Sequence, residues 1–261
     1  MKYQRPGYTE TTLMFCEYLK VDKPRIEWIN WLYTTSGFYD KQIKGSYFWE
    51  YETKKILESE NYKNFIAQYT KSLKNSDKLC PLFHKTNFDH KRKEFIEYLQ
   101  PTSLFDWCDY KNWYMVLKDK KVLLVNGFSP LMQHQYENGN LHKIDPNFPI
   151  VSDIKNVRTP YSFFNTGPDS NFFETLENIK QQIVVMDFDI AIISCGAYAA
   201  LLCDYCNSIG RTGICIGSRM HSMFGIDPKN DNPLWINKIP QEYIPNIPEK
   251  YKQTEIMNYY K

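Results

Sequence analysis

Hydrophobic and polar positions change period repeatedly along the 261 residues, and each change predicts an element. "DIAIIS", Asp189–Ser194, is a near-continuous apolar run of the kind found in strands buried on both faces. It turns through "CGAY" into Ala197–Ile209, where apolar residues recur at helical spacing, and a second apolar strand follows over Thr212–Ile216. Within "LKDKKVLLVNGFSP", Leu117–Pro130, charged residues lead into Val122–Val125 and a turn closes the run. Pro130 suits the first turn of a helix through Gln135 and Tyr136.

The remaining pattern is weaker but continuous. A short strand is predicted over Met1–Gln4, broken at "RPG", and a helix over Thr11–Lys20. Pro24 opens a helix through Trp28, Trp31 and Leu32 that Gly37 stops. Helices are predicted near Gln42–Glu58, Tyr62–Lys74 and His90–Leu99, with strands in Ser76–Phe83 and Ile154–Pro160. Asp169 or Ser170 caps a long helix ending near Met186. From about residue 227, Pro228, Pro233, Pro240, Pro245 and Pro248 predict an irregular tail.

Strands alternating with helices predict a single α/β domain over residues 1–261, with a Rossmann-like, mostly parallel sheet flanked by helices. Ligands of such sheets bind beyond the carboxyl ends of strands. That rule selects three turns: "NGFS" with Asn126, Gly127 and Ser129; "CGAY" with Gly196, Ala197 and Tyr198; and "GSRMH" with Gly217, Ser218 and Arg219.

A strand that turns into a helix aims main-chain N–H groups at what lies above it, which favours an anion. A tight corner explains Gly196 equally well. The dinucleotide fingerprint needs three glycines, and Tyr198 stands where the second would be. No carboxylate ends Thr212–Ile216 to hold a ribose, so NAD is disfavoured, and the same poverty of glycine weakens a methyltransferase reading. Arg219 has the chemistry to meet a diphosphate or to pair with a surface acid. His221 is either a ligand contact or a packed imidazole, and turn capping accounts for Asn126 and Ser129 as well as ligand binding does.

Composition narrows the field. With 32 basic and 30 acidic residues the chain lacks the excess of positive charge that nucleic-acid binding uses. Seven scattered cysteines, with one Cys203–Cys206 pair inside a helical pattern, make neither a disulfide framework nor a zinc site, and predict a reducing, cytoplasmic setting. "MKYQRPGYTE" has no apolar core of a signal peptide, and no run is long enough to span a membrane. Aromatic residues reach 16%, which suits either a tyrosine-rich core or a carbohydrate surface.

Asp187–Ile226, "DFDIAIISCGAYAALLCDYCNSIGRTGICIGSRMHSMFGI", is similar to a segment of bacterial glycosyltransferases of the GT-D-like fold. "WYMVLKDKKVLLVNGFSPLMQHQY", "SGFY", "FFETLENIKQQI" and the N-terminal "RPGYTE" extend the resemblance collinearly. It implies transfer of a sugar from a nucleotide-sugar donor to a carbohydrate acceptor hydroxyl. It also implies donor contacts at Arg5, Gly7 and the three turns, and a divalent metal, Mn²⁺ or Mg²⁺, beside an Asp-x-Glu pair. The matching positions here are Tyr8, Thr9 and Glu10, so only the glutamate is present, as general base, lone metal ligand or salt-bridge partner of Arg5. Trp28, Trp31 and Trp107 are candidates for the acceptor groove. A non-catalytic nucleotide or sugar-phosphate binding module and a Rossmann-like methyltransferase are the alternatives.

Overall fold

A computed structural model describes residues 2–21, 28–43, 50–80, 88–99, 103–104 and 110–244. Among these residues seven strands form one sheet: β1 (Lys2–Gln4), β2 (Lys78–Leu79), β3 (Ser103–Leu104), β4 (Lys121–Asn126), β5 (Asp153–Arg158), β6 (Ile190–Ser194) and β7 (Thr212–Cys215). Their order is β3-β2-β1-β7-β6-β4-β5, and every pairing is parallel.

Parallel sheets need cover on both faces, and the strand residues divide accordingly. Leu123, Val125, Ala191, Ile193 and Cys215 belong to one core, whereas Val122, Leu124, Ile190, Ile192 and Ile214 belong to the other. The first core receives α1 (Tyr8–Leu19), α2 (Glu50–Glu58), α3 (Glu60–Lys74), α4 (Arg92–Leu99), α7 (Phe172–Val184) and α8 (Tyr198–Ser208). The second receives α5 (Ser129–Glu137), α6 (Asn140–Ile144) and α9 (Arg219–Met223). Helix α7 illustrates the fit: Phe172, Thr175, Leu176, Ile179 and Ile183 are buried, a stripe at helical period.

Several predicted boundaries move. Helix α1 starts at Tyr8, which puts Glu10 in its first turn. Asn171 caps α7, its side chain accepting from the Phe173 and Glu174 N–H groups. Asp169 instead accepts from the Thr175 hydroxyl and the Asn178 amide, so neither predicted residue is the cap. Residues 28–31 are helical and run into a π-helical turn, Leu32–Ser36, closed by Gly37 at φ 79°. The predicted helix start at Pro24, the far end of Ser76–Phe83 and the tail beyond residue 244 lie outside the described residues. Up to residue 244 the tail is irregular apart from a 3₁₀ turn, Gln241–Tyr243.

The order of the strands places the ligand-binding edge. The chain leaves β4 toward β5 at one margin and leaves β6 toward β7 in the opposite direction. Adjacent β4 and β6 therefore flank a topological switch point, where the connections part and a crevice opens. Among the described residues no helix is long and apolar enough to cross a membrane.

Candidate functional site

A cleft of about 480 Å³ opens above the carboxyl ends of β1, β7, β6, β4 and β5, within the size range of small-molecule sites. Its walls combine the N-terminal segment (Arg5, Gly7, Glu10) with the β4 turn (Asn126, Gly127), the β6 turn (Gly196, Tyr198) and the β7 turn (Gly217, Ser218). These nine of the twelve residues expected at the site converge there. Ser129 is fully buried with its hydroxyl on the Asn156 amide oxygen, and Ala197 is fully buried as well. Arg219 is exposed at the start of α9 and does not line the cleft.

The turn glycines are explained by what crosses them. A Cβ on Gly217 would collide with Arg5 Nη1, and one on Gly196 with the Ser36 carbonyl oxygen. Both glycines also have φ of 59°, where side chains are disfavoured. A Cβ on Gly127 would lie 2.5 Å from the Tyr161 hydroxyl. Each strand-end glycine thus admits a different piece of the cleft's roof.

One N–H group of the expected anion cradle at Gly196–Tyr198 is already taken. The Ala197 N–H donates to Ser36 O at 2.7 Å, so a peptide carbonyl from the π-helical turn occupies that position. Tyr198 contributes its side chain instead. Its ring stacks on Phe172 at 4.4 Å and 7°, and its hydroxyl shares a 2.9 Å hydrogen bond with Ser162. Burial pushes the phenol far up, so it stays protonated.

Arg5 is the one Lys or Arg among the described residues that line the cleft. Its N–H pairs with Cys215 O, which continues the β1–β7 ladder, and Nη1 donates to Ile216 O at 3.3 Å. Its Nε is buried without a hydrogen-bond partner. A guanidinium anchored by one edge and unsatisfied at another suits an anionic group.

Glu10 is 3% exposed. Burial raises its carboxyl pKa, while its own N–H and the Ser36 hydroxyl donate to it and lower it partly. Those donors, rather than an ion pair with Arg5, serve the carboxylate. A helix's first turn favours a carboxylate whatever its function. Among the described residues, Glu10 is the sole carboxylate lining the cleft, and no cluster of three or more His, Cys, Asp or Glu occurs. Mn²⁺ and Mg²⁺ require several oxygen ligands, and a single carboxylate does not supply them.

At the switch point Asn126 joins the two strands that part there. Its amide nitrogen donates to Ser194 O, and its amide oxygen accepts from the Phe128 N–H at 2.7 Å. His221 lies 3.4 Å from that amide and 5.2 Å from the Phe128 ring. Burial lowers its pKa to about 4, so the imidazole is neutral at neutral pH. Of the tryptophans, Trp31 lines the cleft, Trp28 is buried in the core, and Trp107 lies outside the described residues.

Tyr69, Ser36, Tyr161, Ser162 and Phe163 also line the cleft and are missing from the sequence-derived set. Tyr69 comes from α3, and its hydroxyl accepts from the Gly7 N–H, an orphan donor of α1. Nothing in the helical pattern around it separates Tyr69 from other core tyrosines. Tyr161–Phe163 follow β5, a strand end that the rule for parallel sheets also covers but that carries no glycine to draw attention. No family model matches the chain, and no curated protein or solved structure does so either.

Proposed function

We propose that the protein transfers a sugar from a nucleotide-sugar donor to a hydroxyl of a glycan or glycoconjugate acceptor. One observation carries this reading: Arg5 and Glu10, five residues apart across the β1–α1 corner, face the same cleft at the carboxyl edge of a parallel sheet. A fixed cation and a carboxyl of raised pKa are the two charges that glycosyl transfer uses.

In this reading Arg5 holds the diphosphate. As the acceptor oxygen attacks the anomeric carbon, the bond to the phosphate oxygen breaks and its electron pair leaves with the nucleoside diphosphate. A guanidinium positioned beforehand stabilises that growing charge. Glu10 takes the acceptor proton, and its raised pKa brings it closer to the operating pH, where a base transfers protons best. Trp31 and Tyr8, both exposed on the cleft wall, offer apolar faces to an acceptor sugar. No step is assigned to a metal.

A second reading, binding of a nucleotide or sugar phosphate without turnover, draws on the burial of Glu10 beneath the Ser36 hydroxyl. A thermal-shift screen of UDP-, GDP-, dTDP- and CMP-sugars, with and without Mn²⁺, tests the donor. Turnover by wild type and Glu10→Gln then separates the readings. Glycosyl transfer predicts a donor that stabilises both proteins and turnover by wild type alone. A donor bound but never consumed supports the second reading, and no binding by any nucleotide sugar defeats both.

A further inference from the structure

The two ends of the cleft differ in chemistry. Arg5 follows β1 and Ser218 follows β7, whereas Tyr161 and Phe163 follow β5. Tyr161 lies over Gly127 at the end of β4, where an added Cβ would meet the phenol Cζ at 2.6 Å. The guanidinium itself lies over Gly217 at the end of β7, and in the sheet β4 stands two strands from β7, a span of about 10 Å at ~4.8 Å per strand. A cation at one end and an aromatic pair about that far away match the reach of a nucleoside diphosphate.

The aromatic pair is held in place by its surroundings. Tyr161 and Phe163 have ring centroids 5.6 Å apart at 37°, and Tyr161 also meets Phe128 at 6.0 Å. The next two residues, Phe164 and Asn165, adopt φ of 54° and 64°, a left-handed conformation that asparagine tolerates but a bulky residue such as Phe164 seldom takes. This reversal carries Phe164 into the interior and leaves Phe163 half-buried on the cleft wall. Backbone strain of this kind persists where the surrounding structure enforces it, and it concentrates at ligand sites.

We infer that Tyr161 and Phe163 form a nucleobase platform, which stacks the base of a nucleoside diphosphate whose phosphates lie toward Arg5. The inference rests on the nucleotide-sugar reading above. Every base has a π face, so stacking distinguishes a nucleotide from a bare sugar phosphate more than it distinguishes one base from another. Gly127 belongs to the platform because its missing side chain is what lets Tyr161 settle at the strand end.

The test is calorimetric titration of UDP, GDP, dTDP and inorganic pyrophosphate into wild type, Tyr161→Leu, Phe163→Leu and Phe163→Tyr. Wild type is expected to bind at least one nucleotide tenfold or more tighter than pyrophosphate. Each leucine variant is expected to lose about tenfold in nucleotide affinity, with pyrophosphate affinity unchanged. Phe163→Tyr is expected to retain both affinities. Equal wild-type affinity for nucleotide and pyrophosphate overturns the platform while leaving an anion site in place, and so does parallel loss of both ligands in the leucine variants. A wild-type protein that binds none of the four overturns the platform and the donor reading together.

Discussion

The Arg5 guanidinium lies across the bare backbone of Gly217, where any Cβ would collide with Nη1. The two residues follow β1 and β7, neighbouring strands that are far apart in the chain. The cleft's positive charge is therefore positioned by a glycine more than two hundred residues away.

Gly217→Ala should displace Arg5 and strain a backbone at φ 59°, a conformational cost of about 1–2 kcal/mol. Chemical denaturation should show that modest loss, whereas titration with a nucleoside diphosphate should show a fall in affinity comparable to Arg5→Ala. Unchanged affinity would mean that Arg5 takes no part in binding.

Gly196 and Gly210 both have positive φ, but only Gly196 has backbone above it: a Cβ at Gly210 meets nothing within 4 Å. Gly210→Ala should cost about 1–2 kcal/mol, the left-handed penalty alone. Gly196→Ala must also move the Ser36 carbonyl and break its bond to Ala197, for about 3–5 kcal/mol in all. Equal losses in denaturant melts would contradict the close approach.

Glu10 separates activity from stability. Its folded pKa is raised by burial, so the native state holds its proton more tightly than the unfolded chain does. The stability this confers is fully present below the ordinary carboxylate pKa and is lost as pH rises through the raised value. Glu10→Gln should therefore melt higher than wild type at neutral pH, with the difference closing toward pH 4. Turnover should fall by about 10²–10⁴ if the carboxylate is the base. A variant less stable at neutral pH would show that the carboxylate stabilises the fold.

His221 has the opposite pH dependence. Its folded pKa is about 4 against an ordinary 6.5, so the unfolded chain takes up the proton first. Its contribution is full above about pH 6.5 and is lost as pH falls toward 4, by about 2–3 kcal/mol. His221→Asn should flatten that limb of the stability–pH curve. An unchanged acid limb would place the charge elsewhere.

Much of the architecture was legible because burial on both faces leaves apolar runs such as Val122–Val125 and Ile190–Ile193 that few other elements resemble. The three glycine turns were legible because strand ends are where parallel sheets bind, whereas the N-terminal Arg5–Glu10 segment stood out only through the resemblance of "RPGYTE". What crosses those turns was not. Ser36 O on Ala197, Tyr69 on Gly7 and Tyr161 on Gly127 are contacts between distant segments. No local period encodes them. The left-handed turn at Phe164–Asn165 was half hidden: asparagine is a residue that takes that conformation readily, but nothing local marks the bulky Phe164 before it.

The proposed transfer depends on an anion meeting Arg5 inside the cleft. Titration calorimetry of UDP, GDP and dTDP against wild type and Arg5→Gln, at low and at high salt, measures that meeting. The account predicts saturable binding of at least one nucleotide, weakened by about 10–100-fold in the variant, as expected for a lost charge-assisted hydrogen bond. Equal affinity in the two proteins, or no heat from any nucleotide, would contradict it.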